Sequence, residues 1–120
     1  MPGGANRRGT LSGPSSAPAT GERIDVLTAG STWRIEQILS GVLPEPVSDL
    51  LDHDEWVVVL NGRAELDVEG AVERLDPGDW IRLGPGVAHR VLFTAPGTNW
   101  LAVHVGIPAG SKTSPTPAPR

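Results

Sequence analysis

The chain has no cysteine and no tyrosine, one methionine, one phenylalanine and only three histidines in 120 residues. Without thiols there is no disulfide framework, zinc ribbon, iron–sulfur cluster or cysteine nucleophile, so any metal must be held by His, Asp or Glu. Long apolar runs are also lacking. The longest reach about five residues, whereas roughly 18 to 20 are needed to cross a bilayer. A soluble, cytoplasmic protein with no membrane partner is expected, and the length allows one compact domain.

Positive charge is scarce where a fold can form. All 14 acidic residues lie between Glu22 and Asp79, and only six of the ten basic residues fall between positions 21 and 110, which gives that body a net charge of −8. A phosphate-tracking surface needs clustered Lys and Arg on one face, so no nucleic-acid partner is expected.

Glycine (15) and proline (12) are abundant instead, and the ends are built from them. Residues 1–20 and 107–120 are rich in Gly, Pro, Ser, Ala and Thr and hold almost nothing large and apolar. Burial there cannot offset a backbone ordering cost of roughly 1 to 2 kcal/mol per residue, and both tails are expected to be disordered around a domain at 21–106. The Arg7-Arg8 pair is followed by LSGPSSAPATG rather than an apolar run, which argues against an export signal.

Within the body, short β-type runs alternate with Gly, Pro and Asn breakers, and no segment sustains a 3.6-residue period. Strands are expected at Trp33–Leu39, Glu55–Leu60, Arg63–Val68, Val72–Leu75, Trp80–Leu83, His89–Phe93 and Trp100–Val105. Asn61-Gly62 has the composition of a type I′ hairpin turn, because both residues tolerate positive φ. Further reversals fall at Glu69-Gly70, Asp76–Asp79 and Pro96-Gly97. Seven or eight short strands with tight turns imply an antiparallel sandwich or barrel. The four tryptophans are expected to pack in the core and between sheets.

Two stretches carry a family pattern. Gly78-Asp79, then Gly84-Pro85-Gly86, then His89 resembles the second motif of the cupin superfamily, with the proline displaced by one place and Phe93 where an Asn is usual. Glu55 and Gly62 match the end of the first motif. Asp54–Val57 and Trp100–His104 resemble runs of small single-domain, RmlC-like cupins. The resemblance covers about Ile24 to Val105 and implies an all-β double-stranded β-helix, or jelly-roll barrel. Leu50 and Leu51 stand where metal-binding members carry a His-x-His pair.

What the resemblance implies for the site is a divalent transition metal (Fe, Mn, Ni, Zn or Cu) held by Glu55 and His89 with His53 and His104, acting on a small organic molecule inside the barrel. Glu55 and His89 are the expected catalytic pair. Period-two alternation puts His53 on the face of Glu55, and leaves open which face of the last strand, that of His104 or that of Leu101 and Val103, lines the pocket. A metal-free alternative uses the same Glu and His as a general acid–base set. The third possibility is a non-catalytic ligand-binding, sensory or structural module. A homodimer is expected, with the Trp33 strand and the N-terminal arm covering an open edge.

Overall fold

The computed structural model describes residues 7–109. Nine strands run in order: β1 (Glu22–Ala29), β2 (Trp33–Ser40), β3 (Val47–Asp49), β4 (Asp54–Asn61), β5 (Ala64–Val68), β6 (Ala71–Leu75), β7 (Trp80–Leu83), β8 (His89–Thr94) and β9 (Thr98–Val105). They form two antiparallel sheets, ordered β1-β2-β9-β4-β7 and β3-β8-β5-β6. The jelly-roll barrel implied by the sequence is the fold observed. Apart from a single 3₁₀ turn at Pro14–Ser16, the described residues contain no helix, and none long and apolar enough to cross a membrane.

Alternation along the strands fills the space between the sheets. In β4, Glu55, Val57 and Val59 are buried while Trp56, Val58 and Leu60 are partly exposed. In β9, Trp100, Ala102 and His104 are the buried set, which resolves the open question of that strand's inner face. Leu66 and Val91 from the smaller sheet join Val57, Val59, Trp100 and Ala102 in one core cluster.

Several local expectations change. Asn61-Gly62 does not close a hairpin, because β4 and β5 belong to different sheets. Gly62 has φ +87° whereas Asn61 is not among the positive-φ residues, so the I′ geometry is absent there. It occurs instead at Glu69-Gly70, with φ values of 50° and 91°, between the paired residues Val68 and Ala71. There the Asp67 carboxylate accepts a hydrogen bond from the Gly70 N–H at 2.8 Å.

Period-two alternation from His89 would put Phe93 on the face of His89 and Val91. The β5–β8 register instead shifts between Glu65 and Leu66, and the extra residue rotates the end of β8 so that Phe93 turns outward and Thr94 inward. Phe93 stacks under the Arg63 guanidinium, 5.0 Å from its ring centre. Only one tryptophan is a core residue: Trp100 is 2 % exposed, against 40 % for Trp33 and 61 % for Trp80.

The N-terminal arm was expected to be disordered, yet from Ser12 onward it has defined partners. Ser12 N–H donates to Gln37 Oε1 at 3.0 Å, and Gln37 Nε2 donates back to Ser12 O at 2.8 Å. Thr20 then bridges Val42 in parallel. Hydrogen bonds to a buried glutamine, which composition does not reveal, take the place of apolar burial. Residues 1–6, and the C-terminal tail from 110 onward, lie outside the described residues. The Trp33 strand is not a sheet edge either, since β1 covers β2.

Candidate functional site

Three neighbouring strands of the larger sheet bring the polar groups to one end of the barrel. Glu55 on β4 lies directly opposite His104 on β9, and β2 sets Arg34 opposite His104 and Glu36 opposite Ala102. The small Ala102 side chain leaves room for the Glu36 carboxylate to reach the neighbouring imidazole. His89 enters from the first position of β8 in the facing sheet. His53 precedes β4 and is buried.

The contacts form one continuous run. Asp52 Oδ1 lies 2.8 Å from His53 Nδ1, His53 Nε2 lies 2.8 Å from His104 Nδ1, and His104 Nε2 lies 3.1 Å from Glu36 Oε1. Arg34 Nε donates to the other Glu36 oxygen at 2.7 Å. Beside this run, Glu55 sits between two imidazoles, with Oε2 at 3.6 Å from His104 Nε2 and Oε1 at 3.7 Å from His89 Nε2. His89 Nδ1 lies 3.2 Å from the Val87 carbonyl.

These partners fix hydrogens. A carbonyl oxygen only accepts, so His89 carries a hydrogen on Nδ1 and directs Nε2 toward Glu55. Carboxylates also only accept, so His104 presents Nε2–H to Glu36. Burial lowers the His104 pKa below its ordinary 6.5, and the Glu36 hydrogen bond and charge only partly offset this. Burial would raise the Glu36 carboxyl, but hydrogen bonds and charges from His104 and Arg34 outweigh it and hold the group below its ordinary 4.5.

The structure thus places Glu55, His89 and His104 together and sets His53 behind His104. For the four-ligand metal centre expected of these residues the arrangement does not fit. His53 and His104 direct ring nitrogens at each other rather than at a common point, and the remaining nitrogen of each faces a carboxylate. Among the described residues no three His, Asp or Glu side chains are grouped to hold an ion.

Space is distributed unexpectedly. The barrel interior, lined by Asp49, Glu55, Leu66, His89 and Trp100 among others, keeps a cavity of only about 20 Å³, room for about one water. The space beside Glu55 and His89 inside the barrel is therefore narrow in this structure. A groove of about 480 Å³ opens outside it, between Ser48–Leu50, Asp67, Glu69-Gly70 and Ala88–Arg90. Asp49 and His89 line both spaces.

Arg34, Glu36 and Asp52 were not foreseen as site residues. Arg34 and Glu36 alternate correctly on β2, but a polar face on a strand ordinarily points to solvent, and here it points inward. The usable signal was the charge complement: an Arg and a Glu two apart form a pair that can be buried. Arg82 and Arg90 are exposed and pair with Asp54 and Asp67.

No model of a known protein family matches the chain. A curated relative, an uncharacterised protein of Aquifex aeolicus (strain VF5), is 33% identical over 69 residues, and the chain spans 57% of its length. Among solved structures, a candidate mannose-6-phosphate isomerase from Ralstonia eutropha JMP134 is 32% identical, with 81% of this chain and 98% of that one covered at a TM-score of 0.69. A cupin superfamily protein from Desulfitobacterium hafniense DCB-2 is 13% identical over 72% of this chain and 78% of that one, with a TM-score of 0.58, a likeness of fold alone. Fold, motif positions and these relatives agree, and the chain belongs to the cupin superfamily.

Proposed function

We propose that this small cupin moves protons on a small organic molecule that enters from the groove, with His89 as general base and Glu55 as the carboxylate that stabilises the imidazolium formed. The observation that carries this reading is the orientation of His89, whose Nδ1 hydrogen rests on Val87 O while Nε2 faces Glu55 at the junction of groove and barrel. A C–H bond beside a carbonyl is broken as its proton passes to His89 Nε2, and the proton returns to a neighbouring atom of the enolised substrate. No electrons leave the pair of reactants, so the class is isomerisation or tautomerisation. The isomerase name carried by the Ralstonia relative supports this class, and fold alone does not.

The test is hydrogen exchange. Mannose, fructose and mannose 6-phosphate are incubated with the protein in D2O, and deuterium on the carbon beside the carbonyl is followed by NMR. Exchange is expected with at least one compound, reduced about 100-fold or more in His89→Ala and Glu55→Gln. Binding without exchange would make the protein a ligand-binding module. We also propose a homodimer, because both sheets keep open edges. Light scattering is then expected to give about twice the 12.6 kDa chain mass.

A further inference from the structure

The larger sheet is apolar on its outer face as well as on its inner one. Its register places Ile35, Val103 and Trp56 side by side across β2, β9 and β4. Leu101, Val58 and Trp80 stand side by side across β9, β4 and β7. All six alternate with inward-facing residues and stay exposed or half-buried. Trp33 and Val105, paired at the end of β2 and β9, extend the patch and are 40% and 44% exposed. An antiparallel sheet with one solvated face ordinarily carries polar side chains there, and a contiguous apolar patch in that place marks a surface that associates.

Charge lies around the patch and not within it. On one side Arg82 donates to Asp54 at 2.9 Å. On the other, Arg23 meets Asp25 at 2.9 Å, and the N-terminal arm closes over Gln37 through Ser12. An apolar centre within a polar rim is the anatomy of a protein–protein interface. Its aromatic anchors are already held in place. The Trp56 and Trp80 rings lie 6.1 Å apart at 38°, and the Trp33 ring lies so close over Gly30 that a Cβ there would collide with it. Rings fixed before association lose little freedom when they are covered.

Size, shape and charge select the occupant. Five strands at a spacing of about 4.8 Å and eight residues at about 3.4 Å give a face of roughly 20 by 27 Å in projection. That is comparable with the surface each partner contributes to a standard interface, about 800 Å². A sheet face of this kind is matched by a second sheet packed about 10 Å away. The rim charges are paired with opposite sign, so two copies meet there without net repulsion, whereas a body of net charge −8 is repelled by an anionic lipid surface.

Resting on the reading of this chain as a homodimer, we propose that the second copy packs on the outer face of the larger sheet, with Trp33, Trp56 and Trp80 as the anchors of the interface, and not along the open sheet edges. Three of the four tryptophans then pass from water into the interface, while Trp100 is already buried.

The test follows the full-length protein by light scattering and by tryptophan emission over a dilution series from 100 to 0.1 μM. A mass of about twice 12.6 kDa is expected at the upper end, with emission moving to longer wavelength as the dimer dissociates. Trp33→Glu and Trp80→Glu, both at exposed positions, should each raise the dissociation constant at least tenfold with an unchanged far-ultraviolet circular dichroism spectrum. Val72→Lys, at a 65% exposed position of β6 in the other sheet, should leave the constant unchanged. A dimer that both tryptophan variants leave intact would overturn the proposal and keep the homodimer. A wild type that stays monomeric at 100 μM would remove both, and an emission shift seen only on adding phosphatidylcholine vesicles would give the face to a membrane instead.

Discussion

His53 Nε2 and His104 Nδ1 lie 2.8 Å apart with the ring planes inclined at 58°. Their outer nitrogens face Asp52 and Glu36. Three hydrogen bonds between two acceptor carboxylates need three hydrogens, whereas two neutral rings supply two. The third hydrogen would have to come from protonation of a ring, which the burial of His104 opposes. Histidine ring ¹⁵N NMR at pH 7 should show the His104 ring neutral, with its hydrogen on the Nε2 that faces Glu36; an imidazolium there would contradict this.

The Arg34–Glu36 pair is almost fully enclosed, its side chains 6% and 4% exposed. Removing one partner of such a pair leaves a buried charge uncompensated, at a cost of about 3 to 5 kcal/mol. Arg34→Met should lower the unfolding free energy measured in urea by an amount in that range, a large share of a typical domain's stability, and so lower the urea midpoint. An unchanged midpoint would show that Glu36 is held by His104 alone.

Acid should act in two stages. His104 has a lowered pKa in the fold, so below about 6.5 the unfolded chain takes up a proton that the folded ring resists, and stability falls as pH falls. Glu36 is also lowered. Its contribution is fully present above about 4.5 and is lost as pH falls through its folded value. The melting temperature should decline gently below pH 6.5 and more steeply below 4.5, and Glu36→Gln should remove most of the second decline.

The strands were legible because alternation and breakers are local signals, and Glu55 and His89 because they sit in motifs of fixed spacing. Arg34 and Glu36 were not. Which side of β2 faces inward depends on its pairing with β9, a relationship across more than sixty residues that no window of sequence contains. Asn61-Gly62 misled for a related reason: its composition permits a I′ turn, but the chain crosses between sheets there.

That crossing has its own consequence. A Cβ on Gly62 would sit 2.4 Å from Thr98 Oγ1 and 2.7 Å from Thr98 Cα, whereas one on Gly78, at a similar φ of +90°, would meet nothing within 4 Å. Gly78→Ala should cost about 1 to 2 kcal/mol for its left-handed backbone alone. Gly62→Ala should cost clearly more by chemical denaturation. Equal costs would mean that β9 yields at Thr98.

We propose that Glu55 and His89, with His104 beside them, act as a protonic site rather than as a metal cage. The most direct test is a titration of metal-free protein with Zn²⁺, followed through the ring ¹⁵N signals of His89 and His104. The expected result is no stoichiometric shift in either ring and no gain in melting temperature. Saturation at one ion per chain, with both rings shifting together and the effect lost in Glu55→Ala and His89→Ala, would contradict it.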